Sequence, residues 1–504
     1  MKKYIRILSL LTALLMTGSA LVSCAGEKEP SSEEIQNEPV TADPSEDSSA
    51  PETEESEETR PRHALDLDAI DFGGDELHSI APNWQGYKYY FFADEANGNA
   101  MNDAVYSRRI KTEDALNIVI INTFEADLGA VVSTAKANVL SGDTTYDLVF
   151  NHCIQGNASL VSQGYLYNLD LLPYIDMKAD WWNRTQMDAL RLGKNTYFAV
   201  NDMMLPCPAV ILFNKELIRD NQLDNPYDLV YEGRWTLDSM GDLARAVTMD
   251  YNGDGVMDIN DQYGLAADGW GSSCYINFMT GAGQFITSRT DEGRVRLDFN
   301  TEKTQSIFEL FAGLATENVI YAPPSNDEDV ILRLETGRVL FQILFLDKVE
   351  TLRDCEVDFG ILTYPKFDEQ QKDYINLDWG GLLAVPRIIS DPALIGAAME
   401  LLAWESGNEV IPAFYDLVLA GKLARDEDSA RMLDIIFDTI AYEVGGNYFG
   451  FDTGVNDLFY SLPRLAVNRK SSDFSSLYKK LEKPSVKDIE LFYKNLDRIE
   501  EKDG

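Results

Sequence analysis

Between Gly86 and Phe150 the chain alternates between two hydrophobic periods, and this alternation constrains the fold more than any other feature. GYKYYFFADEANG (Gly86 to Gly98) reads as a β-strand ending in a polar loop. Asn102 to Ala115 has helical spacing, and NIVIINTF (Asn117 to Phe124) reads as a second strand. Leu128 to Leu140 reads as a second helix and YDLVF (Tyr146 to Phe150) as a third strand. Strand, helix, strand, helix, strand implies βαβ units, hence an α/β fold with a mainly parallel sheet. Ligands of such sheets sit beyond the carboxyl ends of the strands. Here those ends carry Asp94, Glu95, Ala96 and Asn97, and then Asn151 and His152.

The pattern continues. PAVILFNKELI (Pro208 to Ile218) is an apolar strand running into a helix, and Gly233 to Asp250 is a helix capped by Thr236. Val357 to Pro386 reads as strand, loop, strand, and Pro392 to Trp404 as an amphipathic helix. Of 504 residues, roughly 420 belong to this body, too many for one ordinary core, so two lobes are expected. The formal net charge of −41 excludes a nucleic-acid binder, which needs a basic footprint, and direct adsorption to anionic lipid. Cys153, Cys207, Cys274 and Cys355 follow no metal-ligand spacing; they are either disulfide-bonded or free buried thiols.

The N-terminus carries an address. Lys2, Lys3 and Arg6 precede an apolar run from Ile7 to Met16, then small residues and Leu21-Val22-Ser23-Cys24. This is the plan of a secretory signal, residues 1–23, too short to span a bilayer. Its end resembles the lipobox of bacterial lipoproteins, in which Cys24 receives a diacylglycerol thioether and further acyl chains such as palmitate. Ala25 to about Arg62 is Glu, Ser, Pro and Thr with few large apolar residues, so it is expected to be a disordered tether. With the body starting near Trp84, the tether is assigned to 24–82. Such a coil spans about 5–6 Å times the square root of its length and lifts the body off the membrane.

In order, AVILFNKELI, NPYDLVYEGRWTLDSM, LETGRVLFQILFLDKV, VDFGILTYPKFD with GGLLAVP, SARMLDIIFDTIAYEVG and DWWN resemble the extracellular solute-binding proteins of ABC importers, the class that includes maltose-binding protein. No single motif is diagnostic; the collinear set carries the resemblance, from about Trp84 to the C-terminus. It implies a two-lobed, periplasmic-binding-protein-like fold with hinge crossovers. Lobe 1 would be 83–206 plus about 373–420, and lobe 2 would be 207–372 plus about 421–504. It implies a monomer held on the outer face of the cytoplasmic membrane by its lipid alone. It also implies capture of a small solute, most commonly a sugar or oligosaccharide, and delivery to permease subunits.

Residues 250–261 fit the EF-hand loop D-x-[DN]-x-[DN]-G. Asp250, Asn252, Asp254, Asp258 and Asp261 place oxygens at loop positions 1, 3, 5, 9 and 12, and Val256 offers its carbonyl. Gly255 falls where a sharp turn is needed. Asp261 replaces the usual bidentate Glu, so a structural calcium is expected. The alternative is an Asx-rich surface turn.

A sugar site needs aromatic faces for C–H surfaces and planar polar groups for hydroxyls. The candidates are Glu95, Asn97, Asn151 and His152 in the first lobe, Asn201 and Asp202 at the first crossover, Trp270 in the second lobe, and Asp378 and Trp379 at the return crossover. Trp181 and Trp182 are assigned to packing, and Trp235 and Trp404 to the core. The rival class is a secreted glycoside hydrolase, which needs only two carboxylates; a third reading is a surface module that binds glycan without transport. Three histidines, no H-E-x-x-H and no G-x-S-x-G argue against a zinc or serine hydrolase; a glycosidase is disfavoured by the collinear binding-protein pattern, which implies a cleft but no reaction, so the chain is expected not to be an enzyme.

Overall fold

The structure is a computed structural model; it describes residues 62–83, 91–267, 275–323, 332–419, 424–450 and 453–503. Cys24, the signal segment, Trp84, Trp270 and Cys274 lie outside the described residues.

Along the chain run β1 (Asp75–Pro82), α1 (Ala100–Leu116), β2 (Ile118–Glu125), α2 (Leu128–Ser141), β3 (Leu148–His152), α3 (Asn157–Ser162), β4 (Ala209–Asn214), α4 (Leu237–Val247) and β5 (Tyr263–Ala267). Then follow α5 (Tyr275–Gly281), β6 (Thr287–Arg289), β7 (Val295–Leu297), α6 (Glu302–Thr316), β8 (Ile320–Tyr321), β9 (Val339–Phe345), β10 (Phe359–Leu362), β11 (Asn376–Leu377) and β12 (Gly381–Ala384). The last elements are α7 (Pro392–Glu405), α8 (Ile411–Leu419), α9 (Glu427–Asp438), β13 (Ile440–Ala441), α10 (Val444–Phe449), α11 (Leu462–Arg469) and α12 (Phe474–Asp503).

Two sheets organise two α/β halves. The first has the order β12-β3-β1-β2, with β1 parallel to both neighbours and β12 antiparallel to β3. The second has the order β10-β4-β9-β5-β8, parallel from β9 to β8 and antiparallel around β4. Helices α1, α7 and α8 pack together beside the first sheet, while α4 and α9 lie on the second.

The helix ends follow local chemistry. Asn99 caps α1 by accepting the Met101 and Asn102 N–H groups. Thr236 caps α4 in a capping box completed by Ser239. Inside α7, Gly396 lets the helix lie against Pro173, since a Cβ there would stand 2.0 Å from the Pro173 carbonyl oxygen. The same helix carries Glu400, fully buried, which accepts the indole N–H groups of Trp181 at 3.1 Å and Trp182 at 2.8 Å. These tryptophans and Trp235 are buried, as their packing assignment expected.

Two expectations are corrected. The body begins at His63, not near Trp84: His63 and Leu65 are buried, and the His63 ring meets Trp404 edge-on at 4.8 Å. The strand read at Gly86–Gly98 is absent from described residues 91–98; the opening strand is β1, DELHSIAP, inside the span given to the tether. Its acidic start makes it look like tether, but its last four residues are buried in the middle of the sheet.

Candidate functional site

The carboxyl ends of β3 (His152), β5 (Ala267) and β9 (Phe345) all lie toward the segments that cross between halves. His152 pairs with Gly381 at the start of β12, and Phe345 pairs with Ala209 at the start of β4. The crossing segments lie side by side. Pro208 bridges Asp378, the Trp379 N–H donates to the Cys207 carbonyl, and the Asp378 N–H donates to Ala441 at 3.0 Å. Asp378 clasps them: its carboxylate accepts the Cys207 N–H and the Tyr442 hydroxyl, each at 2.7 Å. Burial pushes that carboxyl upward, opposed by the Tyr442 and Cys207 hydrogen bonds. Expected to face a solute, Asp378 instead spends its oxygens on the crossovers.

Trp379 sits beside the clasp, 4% exposed. Its indole N–H donates to Asn277 Oδ1 at 3.1 Å. Around it stand the rings of Phe345, Phe459 and Tyr460, with centroids 5.7, 5.5 and 5.8 Å away. Asn277 and the three aromatic partners were missed at the sequence level. They lie on three separate elements, with only Phe459 and Tyr460 adjacent, and no spacing rule links the three.

A second group surrounds the start of α3. Asn151 Nδ2 donates to Asn157 Oδ1 at 2.8 Å, Asn157 Nδ2 donates to the Asn447 carbonyl at 2.7 Å, and Asn447 Nδ2 donates to the Cys153 carbonyl at 3.1 Å. The amide oxygens of Asn151 and Asn447 are buried without a donor among the described residues, which costs about 1–3 kcal/mol each unless a donor is supplied. His152 is also buried; its Nδ1 accepts the Ile154 N–H at 3.3 Å, and burial pushes its pKa down to about 3. It is a neutral hydrogen-bonding ring.

The other candidates are dispersed. Glu95 and Asn97 are exposed and shape the turn before α1: the Glu95 carbonyl accepts from Asn102, and the Asn97 N–H donates to Asp103. Asn201 is buried and its side chain accepts the Met203 N–H. Asp202 is half-buried, with its N–H on the Trp181 carbonyl. Cys153, Cys207 and Cys355 are free thiols.

In the 250–261 loop, Gly255 takes φ +81°, the left-handed turn its position demands. The side-chain oxygens serve the backbone. Asp250 accepts the Gly253 and Gly255 N–H groups, Asp254 that of Val256, Asp258 that of Asn260, and Asp261 those of Tyr251 and Asp258. The Asp258 N–H is foremost in holding the Asp261 carboxyl below its ordinary range. Asn252 is tied to Asp254, and Val256 is exposed. Among the described residues, no three acidic, His or Cys side chains gather as a metal-holding group.

Known structures supply the comparison. The galacto-N-biose/lacto-N-biose I-binding protein of a Bifidobacterium longum ABC transporter, bound to lacto-N-biose, is 11% identical with a TM-score of 0.59, over 83% of this chain and 98% of that one. The fold is that of the two-lobed solute-binding proteins. A Rhizobium etli sugar transporter protein in an open conformation shares this solute-binding fold at 14% identity and TM-score 0.57, over 81% of this chain and 98% of that one. An ABC substrate-binding protein from Listeria monocytogenes in complex with cycloalternan does so at 13% and 0.51, over 85% and 99%. No protein-family model and no curated protein matches the chain by sequence.

Proposed function

We propose that this chain captures a carbohydrate between its two halves and hands it to the permease of an ABC importer. The observation that carries the reading is the clasped crossover. Two sheets direct their strand ends at one junction, and an aromatic group and a buried amide network lie beside it. The structural neighbours that bind lacto-N-biose and cycloalternan support a sugar or oligosaccharide as cargo. The mechanism is closure: solute seats on one half, the other half rotates over it, and contacts made only in the closed state shift the equilibrium. No reaction is assigned, and the protein acts as a monomer. Among the described residues no helix is long and apolar enough to cross a membrane; lipid on Cys24 is proposed as the anchor.

The test is a thermal-shift screen over mono- and oligosaccharides, followed by calorimetry. Trp379→Ala is expected to weaken the true solute at least tenfold. Unchanged affinity removes Trp379 from the site, and turnover of a glycan by the purified protein overturns the binder reading. The 250–261 loop is proposed to take calcium on its ligand spacing, with the ion displacing backbone donors from the loop carboxylates. Calcium is then expected to give heat in a titration and to raise the melting temperature. With neither, the loop is a turn held by its own hydrogen bonds.

A further inference from the structure

Helix α12 touches both halves. Its root lies in the second half, where Phe474 packs edge-on against Phe299 and Phe308, with centroids 6.4 and 5.6 Å away. Farther along, the Tyr493 hydroxyl accepts the Val295 N–H at 2.7 Å, and Asp497 holds Arg294 at 2.6 Å. Arg294 also lies over the Tyr493 ring, 4.9 Å from its centroid. Both partners belong to the β6–β7 hairpin, a separate two-stranded sheet that the chain of the second half carries between α5 and α6 and whose Arg289 also donates to the Ala189 carbonyl. At the tip, Glu500 accepts a hydrogen bond from Asn195 at 2.9 Å. Ile499 lies against Gly164, where a Cβ would stand 3.2 Å from Ile499 Cδ1. Asn195 and Gly164 belong to the first half, as does α3, against which α12 packs.

Tyr493, Asp497 and Glu500 stand at i, i+4 and i+7, one stripe of the helix. With a rise of 1.5 Å per residue, that stripe crosses from one half to the other in about 10 Å. None of these contacts uses a crossover residue. We propose that α12 is a strap limiting how far the two halves swing apart, with Tyr493 and Asp497 as its hold on the second half and Ile499 and Glu500 as its hold on the first. The proposal rests on the hinge closure described above. It adds a restraint that two lobes joined only through their crossovers do not need.

The test reads the distance between halves without any sugar. Spin labels on unnatural amino acids replace exposed Leu140 in the first half and exposed Tyr231 in the second, and pulsed electron resonance gives the distance distribution. Asp497→Lys, which sets like charges against each other at Arg294, is expected to lengthen and broaden the distribution by several ångströms. The swapped pair Arg294→Asp with Asp497→Lys is expected to restore it. An unchanged distribution in Asp497→Lys overturns the strap. So does a lengthened one that the swap fails to restore, because the pair is then not the hold. Failure of every sugar to bind would sink the solute reading while leaving this distance result readable.

Discussion

Asp378 accepts its two hydrogen bonds from Cys207 and Tyr442, one in each of the segments that flank it at the junction. Asp378→Ala leaves a buried N–H and hydroxyl without acceptors, a cost of about 2–5 kcal/mol in total. A fall in melting temperature of several degrees is expected, read by calorimetry; a change within error would show that the clasp carries no weight. At this scale the sequence was only partly informative. It marked Asp378 and Trp379 as special because glycines follow them, and both do lie at the junction. It had no means of showing which way Asp378 turns, because Tyr442, 64 positions away, arrives through a pairing of β11 with β13. Nor did it show Asn277, 102 positions from Trp379. Polar residues near a crossover read alike whether they face a solute or brace the backbone, and only the partners decide.

Elements were legible where periodicity was strong. The expected helices at Asn102–Ala115, Leu128–Leu140 and Pro392–Trp404 match α1, α2 and α7 within two residues. Strand β1 was not legible: its alternation lasts too few residues and merges with an acidic leader. Helix α9 makes a prediction of its own. Asp434 and Asp438 are four positions apart on one face, near Tyr415 and Asp202. Burial, then the Asp438 carboxylate, pushes Asp434 up to about 6; burial does the same to Asp147, also to about 6, against the His78 N–H. An unfolded Asp titrates near 3.9, so from about pH 4 to pH 6 the folded state holds more protons than the unfolded state. Stability is therefore full below that window and falls as pH rises through it. The melting temperature is expected to be higher at pH 5 than at pH 7, and Asp434→Asn to flatten the slope. Equal slopes in the two proteins would refute the assignment.

For the whole molecule, the two-lobed plan followed from size and βα alternation, whereas the strap did not, since a terminal helix carries no sign of what it spans. The lipid anchor proposed at Cys24 gives a test at this scale: Cys24→Ala is expected to move the protein from the membrane fraction to the medium, and retention in the membrane would end the lipoprotein reading. The topology has a consequence for the order of assembly. All five strands of the second sheet come from one stretch, Ala209 to Leu362, whereas the first sheet waits for β12 at Gly381–Ala384. A chain emerging from its N-terminus thus presents β1, β2 and β3 first, with one edge of β3 unpaired, while all five strands of the second sheet are made between them and their closing strand. Pairings over such sequence separations are slow to form. The five inserted strands are free to pair early, α9 covers their sheet only after β12 is made, and α12 follows them all. Both sheets are therefore complete before the helix that ties the halves together has emerged.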